Sequence, residues 1–219
     1  MNELHCLEAG PPAAAARLLL AHGAGAPMDS PFLETFATLL AARDIATTRF
    51  EFPYMAARRT NPKKKPPPKA ETLVQEYASA VATVAGRMPP GQHLFISGKS
   101  MGGRVASLIA DELNRQGATI GLVCLGYPFH PPSKPEALRT AHLVDLKCPA
   151  LIIQGDRDPF GTRVEVAAMT LSRAITLHWA RDGDHDLGPR GASGFTRRGN
   201  LEGAVDAVAR FVRDRLSVC

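Results

Sequence analysis

Residues 93–103 read HLFISGKSMGG, and the fold can be predicted from this segment outward. An apolar run over residues 93–97 leads into a glycine-rich turn, and a segment with helical character continues to about residue 116. The turn fits the pattern G-x-S-x-G, in which a serine occupies a strained turn between a strand and a helix and the glycines avoid collisions. The pattern predicts that Ser100 is an exposed nucleophile above a helix N-terminus, which favours an anion.

A phosphate-binding loop is an alternative interpretation of Gly98-Lys99-Ser100. That motif, G-x-x-x-x-G-K-[ST], requires a glycine where this chain has His93, and a loop where it has an apolar, strand-like run. The spacing therefore excludes this nucleotide-binding motif. We then expect the side chain of Lys99 to be a local cation or to be solvated.

Outward from this turn, short apolar runs alternate with longer segments of helical character. The runs predict strands over residues 17–21, 46–50, 93–97, 119–125, 149–154 and 175–180. Helices are expected over about 32–42, 70–84, 163–171 and 201–216 besides the one after Ser100, and a short helix at 136–142 is only weakly signalled. This alternation is typical of an α/β fold with a parallel sheet covered on both faces. We expect a single domain over residues 1–219.

A serine hydroxyl needs a base to accept its proton and a carboxylate to orient that base. In hydrolases with this turn, the acid and then the histidine follow the serine at the ends of later strands. Asp158 follows the predicted strand 149–154, with Asp156 as the alternative acid, and His185 lies in the loop after the last strand. Ser100, Asp158 and His185 are therefore the candidate catalytic residues. We interpret Asp184 and Asp186 as loop-forming residues or as electrostatic support for His185.

Backbone N–H groups are needed to stabilise the oxyanion of a tetrahedral intermediate. One is expected from Met101, directly after Ser100, and the other from the turn after strand 17–21, whose sequence is His22-Gly23-Ala24-Gly25. We assign the second donor to the amide of Ala24.

Residues 127–143 are expected to form a short cap segment, because residues 127–135 contain four prolines and cannot continue a strand or helix. So small a cap predicts an open, shallow site for small or extended acyl substrates. Tyr127, Phe129 and His130 are weak candidates for substrate-lining residues, as is His22 in the earlier turn. The alternative for Tyr127, Phe129 and His130 is that they anchor the loop on the core.

The composition excludes several other classes of protein. The chain has 219 residues, 45% hydrophobic and 21% charged, as expected of a globular domain with a sizeable core. We find no apolar run long enough to insert into a membrane and no secretion signal, and therefore expect a cytoplasmic protein. The four cysteines form no metal-binding or disulfide pattern, and Cys124 and Cys148 are expected to be small buried residues.

The net charge of +5 is concentrated in residues 58–69, a basic, proline-rich segment that we expect to be a loop. It contains six basic residues, no acidic residue, four prolines and no aromatic side chain that could stack on bases. We therefore do not expect nucleic acid as a partner. Two alternatives remain: a solvated loop stiffened by proline, or a rim that attracts an anionic substrate or partner.

The sequence resembles the α/β-hydrolase superfamily over about residues 18–216. More narrowly, it is similar to the small hydrolase-like domain of the testis-expressed Tex proteins and of a subunit of the NSL histone-acetyltransferase complex. The segments that carry this similarity are LLLAHGAGAPMDSPF (18–32), GKSMGGRVAS (98–107), GYPFHPPSKPEALRTAHL (126–143), QGDRDPFG (154–161) and GDHDL (183–187). The chain also resembles dienelactone hydrolases, whose nucleophile is a cysteine where this chain has Ser100.

The resemblance implies an α/β-hydrolase fold with a mostly parallel sheet of six or seven strands, helices on both sides and a minimal cap. It also implies Ser100, Asp158 and His185 as the triad, with no metal and no organic cofactor. The leading hypothesis is a serine hydrolase that acts on a small-molecule carboxylic ester or thioester. A non-catalytic scaffold or binding module and an acyltransferase are the alternatives, and the oligomeric state is left open.

Overall fold

In the computed structural model, which describes residues 4–61 and 66–218, one sheet of seven strands is flanked by six helices. The strands are β1 (Cys6–Ala9), β2 (Ala16–Ala21), β3 (Ile45–Phe50), β4 (His93–Lys99), β5 (Leu122–Leu125), β6 (Ala150–Gly155) and β7 (Ile175–Ala180). The helices are α1 (Pro31–Ala41), α2 (Pro53–Thr60), α3 (Val74–Ala85), α4 (Met101–Arg115), α5 (Arg163–Ala167) and α6 (Arg197–Leu216). Short 3-10 turns occupy Ala70–Leu73 and Ala141–Leu143.

The strand order across the sheet is β1-β3-β2-β4-β5-β6-β7, and every neighbouring pair is parallel except β1 and β3. The carboxyl ends of β2 and of β4 to β7 therefore meet at one edge of the sheet. The loops that contain residues 22–25, Ser100, Asp158 and His185 all follow strands at that edge. In open parallel sheets this is the edge where ligands bind.

The central strand β2 shows why an apolar run without alternation predicts a sheet covered on both faces. Its side chains alternate between two hydrophobic cores. Leu18 and Leu20 pack in the core beneath α1 and α6, whereas Leu19 and Ala21 pack in the core beneath α3 and α4. All four residues are fully buried, which confirms the predicted α/β fold.

Two elements were missing from the sequence interpretation. Strand β1 is short and only partly buried, and it is defined by its antiparallel pairing with β3. Helix α2 includes Arg58 and Arg59, so the predicted loop over 58–69 is wrong at its start. Pro53 lies at the first position of this helix, where the missing N–H costs nothing. The prolines that follow the helix indicated a loop, so the helix was not predicted from the sequence. Residues 62–65, with Lys63 to Lys65, lie outside the described residues.

The expected short helix at 136–142 is reduced to the 3-10 turn Ala141–Leu143, and predicted boundaries differ in three further places. Strand β5 begins at Leu122 rather than at residue 119, and α5 ends at Ala167 rather than near residue 171. Helix α6 begins at Arg197, four residues earlier than expected, because the hydroxyl of Thr196 caps it by accepting a hydrogen bond from the Gly199 N–H at 3.0 Å.

The described cysteines are free thiols, and Cys124 and Cys148 are buried as expected. Burial raises the pKa of Cys148 to about 12, so this thiol stays protonated. Cys219 lies outside the described residues. Among the helices of residues 4–61 and 66–218, none combines the length and apolar character needed to cross a membrane.

Candidate functional site

Ser100 lies in the strained turn between β4 and α4. Its backbone has φ 51° and ψ −116°, a conformation that costs a residue with a side chain roughly 1–3 kcal/mol. The neighbouring glycines are required by close contacts. A Cβ on Gly98 would lie 2.3 Å from the Gly102 carbonyl carbon, and one on Gly102 would lie 2.5 Å from the His22 carbonyl oxygen. The chain therefore places Ser100, half-buried, at the N-terminus of α4.

The carboxylate of Asp158 is completely buried and is hydrogen-bonded to His185. His185 Nδ1 lies 2.8 Å from Asp158 Oδ2, which also accepts a hydrogen bond from Gln154 Nε2 at 3.0 Å. Asp158 Oδ1 accepts a hydrogen bond from the backbone N–H of Phe160 at 2.9 Å. These bonds assign the proton of the neutral imidazole to Nδ1 and leave the Nε2 lone pair free to accept a proton.

The alternative acid, Asp156, has a different set of partners. Its Oδ2 accepts a hydrogen bond from the backbone N–H of Asp182 at 3.1 Å, and its Oδ1 lies 3.7 Å from Arg163. Neither contact involves His185. The geometry therefore favours Asp158 over Asp156 as the partner of the imidazole, a choice that the sequence left open.

Lys99 is buried, and its side chain is bonded to the loop that contains His185. Its Nζ donates a hydrogen bond to the His185 backbone oxygen at 2.8 Å and forms an ion pair with Asp186 at 3.1 Å. The ammonium also lies 5.4 Å from the centre of the Phe32 ring. Burial lowers the pKa of Lys99, and the nearby carboxylates of Asp186 and Asp158 oppose that effect. Of the two alternatives for Lys99, the structure has the local cation rather than the solvated side chain, because the ammonium exchanges water for these partners.

The two aspartates that flank His185 have distinct structural roles. Asp184 Oδ1 accepts hydrogen bonds from the backbone N–H groups of Asp186 and Gly188, at 2.9 and 2.8 Å, which shapes the loop. Burial alone would raise the pKa of Asp186, but the charge of Lys99 and its hydrogen bond bring that pKa below its ordinary value. Asp186 therefore remains an anion beside the buried ammonium.

The turn His22-Gly23-Ala24-Gly25 lies beside Ser100, and its peptide groups are held by the buried side chain of His22 and the partly buried side chain of Tyr54. His22 Nδ1 lies 2.6 Å from the Gly23 carbonyl oxygen, and His22 Nε2 accepts the Phe52 N–H at 3.1 Å. The Tyr54 hydroxyl donates to the Ala24 carbonyl oxygen at 3.1 Å. Because N–H and C=O point in opposite directions in a trans peptide, holding the Gly23 oxygen also orients the Ala24 N–H. Burial lowers the pKa of His22, which keeps its imidazole neutral.

Two pockets meet at Ser100, and Ala24 and Phe160 contribute to both. We call the first the basic pocket; it has a volume of 530 Å³, and its walls include Lys69, Arg104 and Arg139. We call the second the Lys99 pocket; it has a volume of 520 Å³, and its walls include Phe32, Lys99, His185 and Asp186. The Phe160 ring stands between them, 4.4 Å from the imidazole centre of His185.

The structure corrects the expectation that four buried residues line the substrate site. His22, Tyr127 and Phe129 are fully buried, His130 is 2% exposed, and none of them contributes to either pocket at Ser100. Tyr127 and Phe129 pack against each other with ring centres 4.9 Å apart. The alternative, anchoring of the cap loop on the core, is what the structure shows for them.

Several residues at these pockets were missed by the sequence analysis. Arg104 follows Ser100 by four residues, so its position one helical turn into α4 could have been found from the helix period. Phe160 and Arg139 lie within segments 154–161 and 126–143 that were already noted. Tyr54, in α2, carries no sequence signal that distinguishes it from a core residue.

Within residues 4–61 and 66–218, no group of three or more His, Cys, Asp or Glu side chains is arranged to hold a metal ion.

The sheet and the position of this site define a protein with the α/β-hydrolase fold. A family model for the alpha/beta hydrolase domain matches residues 14–213, and the chain belongs to that family.

Solved structures with low sequence identity share the fold. The esterase domain of a Rhodothermus marinus protein is 14% identical, with a TM-score of 0.67 over 96% of this chain and 92% of that one. Dienelactone hydrolase from Anabaena variabilis is 22% identical, with a TM-score of 0.65 over 96% and 89%. A serine hydrolase without a lid from Xanthomonas campestris is 18% identical, with a TM-score of 0.66 over 98% and 95%.

Proposed function

We propose that this protein is a serine hydrolase that cleaves carboxylic esters or thioesters through an acyl-enzyme on Ser100. The observation that carries the proposal is the 2.8 Å contact between His185 Nδ1 and the buried carboxylate of Asp158. The same His185 lines a pocket together with Ser100. The names of the solved neighbours, which include an esterase domain and a serine hydrolase, support an ester substrate. The similarity of residues 126–143 to the Tex proteins supports the narrower grouping that we propose, and we propose a single cytoplasmic domain over 1–219.

In this mechanism His185 Nε2 accepts the proton of the Ser100 hydroxyl as the serine oxygen attacks the ester carbonyl carbon. Asp158 holds the imidazole in the required tautomer and stabilises the imidazolium that forms. The imidazolium then gives its proton to the leaving alcohol or thiol, and the carbonyl re-forms as an acyl-enzyme. Water, deprotonated by His185, attacks the acyl carbon and releases the acid and free Ser100.

The oxyanion of each tetrahedral intermediate would be stabilised by the backbone N–H groups of Met101 and Ala24. Among the described residues, neither N–H donates to another protein group, so both can bind a substrate oxygen. The positive end of the α4 dipole adds to this stabilisation. Loss of one such donor typically slows an acyl-transfer enzyme about 100- to 1,000-fold.

Labelling with a fluorophosphonate probe tests the nucleophile. We expect the folded protein to form an adduct that is lost in Ser100→Ala and kept in Ser79→Ala, an exposed serine on α3 whose hydroxyl bonds to the Gln75 carbonyl. Hydrolysis of 4-nitrophenyl acetate should follow the same pattern. A folded wild type that forms no Ser100-dependent adduct and hydrolyses no ester would contradict the proposal and favour a binding module.

A further inference from the structure

One wall of the basic pocket carries a guanidinium that has no partner in the part of the chain that the structure describes. Arg139 is half-buried beside the pocket, and within residues 4–61 and 66–218 its guanidinium makes no hydrogen bond and no ion pair. Burial, and then the neighbouring charge of Arg104, lower the pKa of Arg139 below its ordinary value. Arginine remains protonated even so, and a charge that is partly removed from water without a counter-ion is unfavourable. An anionic ligand would relieve that cost.

The backbone of Arg139 is fixed in place. Its N–H donates to the Phe129 carbonyl oxygen at 2.8 Å, and its own carbonyl oxygen accepts the Tyr127 hydroxyl at 2.9 Å. Both partners are buried in the core, so the start of this side chain is held by the cap segment. The fixed backbone keeps the Arg139 side chain at the wall of the basic pocket, where a ligand can reach its guanidinium.

Arg104 adds a second cation at the same pocket. It lies in the first turn of α4, where the helix dipole disfavours a positive charge and favours an anion. Its terminal nitrogen pairs with the exposed carboxylate of Glu71, but its buried Nε has no hydrogen-bond partner among the described residues. With Lys69, the pocket wall therefore carries three cations against one carboxylate.

From these observations we infer that the basic pocket binds a carboxylate of the substrate, held by Arg139 and Arg104 next to Ser100. The protein would then be selective for esters that carry a carboxylate in the acyl or the alcohol half. This inference rests on the proposed function and narrows its substrate class. A planar guanidinium can hold a carboxylate with two parallel hydrogen bonds, which also fixes the orientation of the ester.

The test compares anionic and neutral esters of matched shape. The acyl-side pair is mono-4-nitrophenyl succinate and 4-nitrophenyl pentanoate, and the alcohol-side pair is 4-acetoxybenzoate and its methyl ester. For each pair, the selectivity is the ratio of kcat/KM for the anionic ester to that for the neutral ester. We expect at least one pair to show a selectivity above one that falls at high salt.

Three variants separate this pocket from the overall charge of the protein. Arg139→Gln should lower the selectivity roughly tenfold or more, because a charge-assisted pair is lost. Glu71→Gln should raise it, because Arg104 loses its competing carboxylate. Arg115→Gln makes the same charge change as Arg139→Gln at the exposed, far end of α4, and should leave the selectivity unchanged.

The outcomes distinguish the two proposals. In the first outcome, the neutral esters are hydrolysed and the activity depends on Ser100, but the selectivity of each ester pair is the same in wild type, Arg139→Gln and Glu71→Gln. The inference that the basic pocket binds a carboxylate is then wrong, and the hydrolase proposal stands. If no ester is hydrolysed, the hydrolase proposal fails, and calorimetric titration with benzoate decides the pocket alone. Benzoate binding that weakens in Arg139→Gln would support the pocket, and wild type that binds no benzoate would overturn it.

Discussion

The two pockets at Ser100 use positive charge in opposite ways. In the Lys99 pocket the ammonium is satisfied by Asp186 and by the carbonyl oxygen of His185, so it holds a loop in place. In the basic pocket, Arg139 has no partner among the described residues. The partners of a cation, rather than its presence, therefore determine whether it positions a loop or is available to bind a ligand. Variants that affect both pockets should lower the activity on anionic and neutral esters equally, whereas variants of one pocket should change the ratio between them.

The largest expected effect comes from Asp158, whose carboxylate is hydrogen-bonded to His185, the proposed base for every ester. Asp158→Asn should reduce kcat roughly a thousandfold or more, equally for anionic and neutral esters, because the imidazole loses its orienting carboxylate. Steady-state kinetics with the matched ester pairs measures this. Asp156→Asn is the control and should change kcat only a few-fold, because Asp156 does not contact His185. A larger loss in Asp156→Asn would reverse the assignment of the acid.

A smaller effect is expected from Lys99, because it acts through the loop of His185. Lys99→Met removes the hydrogen bond to the His185 carbonyl and the ion pair with Asp186. We expect kcat to fall about tenfold, equivalent to about 1.4 kcal/mol, with little change in KM and no change in the selectivity for anionic esters.

Asp186→Asn is the matched variant for Lys99, since it keeps the bond from Lys99 to the His185 carbonyl. It should lower kcat less than Lys99→Met does. If Lys99→Met instead raised KM for anionic esters alone, Lys99 would bind substrate, and the contrast between the two pockets would be lost.

The smallest effect concerns His22, which orients the Ala24 peptide shared by both pockets. Burial lowers the pKa of His22 in the folded state below its ordinary value of 6.5. As the pH falls through 6.5, the unfolded chain binds a proton that folded His22 does not. The free energy of unfolding should therefore decrease with falling pH until the folded pKa is reached, and it should recover as the pH rises.

Urea unfolding at pH 7.5 and pH 5.5 measures this dependence. The decrease should be smaller in His22→Gln than in wild type. His142 and His178, whose pKa values are also lowered by burial, contribute in the same direction in both proteins and therefore cancel in the comparison. An equal pH dependence in the two proteins would contradict a neutral, buried His22.

The strands of the sheet could be predicted from the sequence more accurately than the roles of the residues in the cap segment. Strand β2 was predicted because an apolar run between turns has few alternatives, whereas β1 depends on pairing with β3, 40 or so residues away. The candidate positions Ser100, Asp158 and His185 follow strands, so their order in the chain indicated a common edge. For Tyr127 and Phe129 the sequence offered both lining and anchoring, since both roles favour aromatic side chains in a proline-rich loop, and their burial shows anchoring.

By itself the sequence determined the α/β class, the strand-turn-helix around Ser100 and the order of the candidate acid and base. These depend on local rules: periodicity, glycines at a strained turn, and the position of loops after strands. The tertiary structure alone showed the contact of His185 with Asp158, the burial of Lys99 against Asp186, and an Arg139 guanidinium that has no partner among the described residues. The physical reason is that a charged group is satisfied or left without a partner by residues distant in the chain, and a sequence does not show those distances.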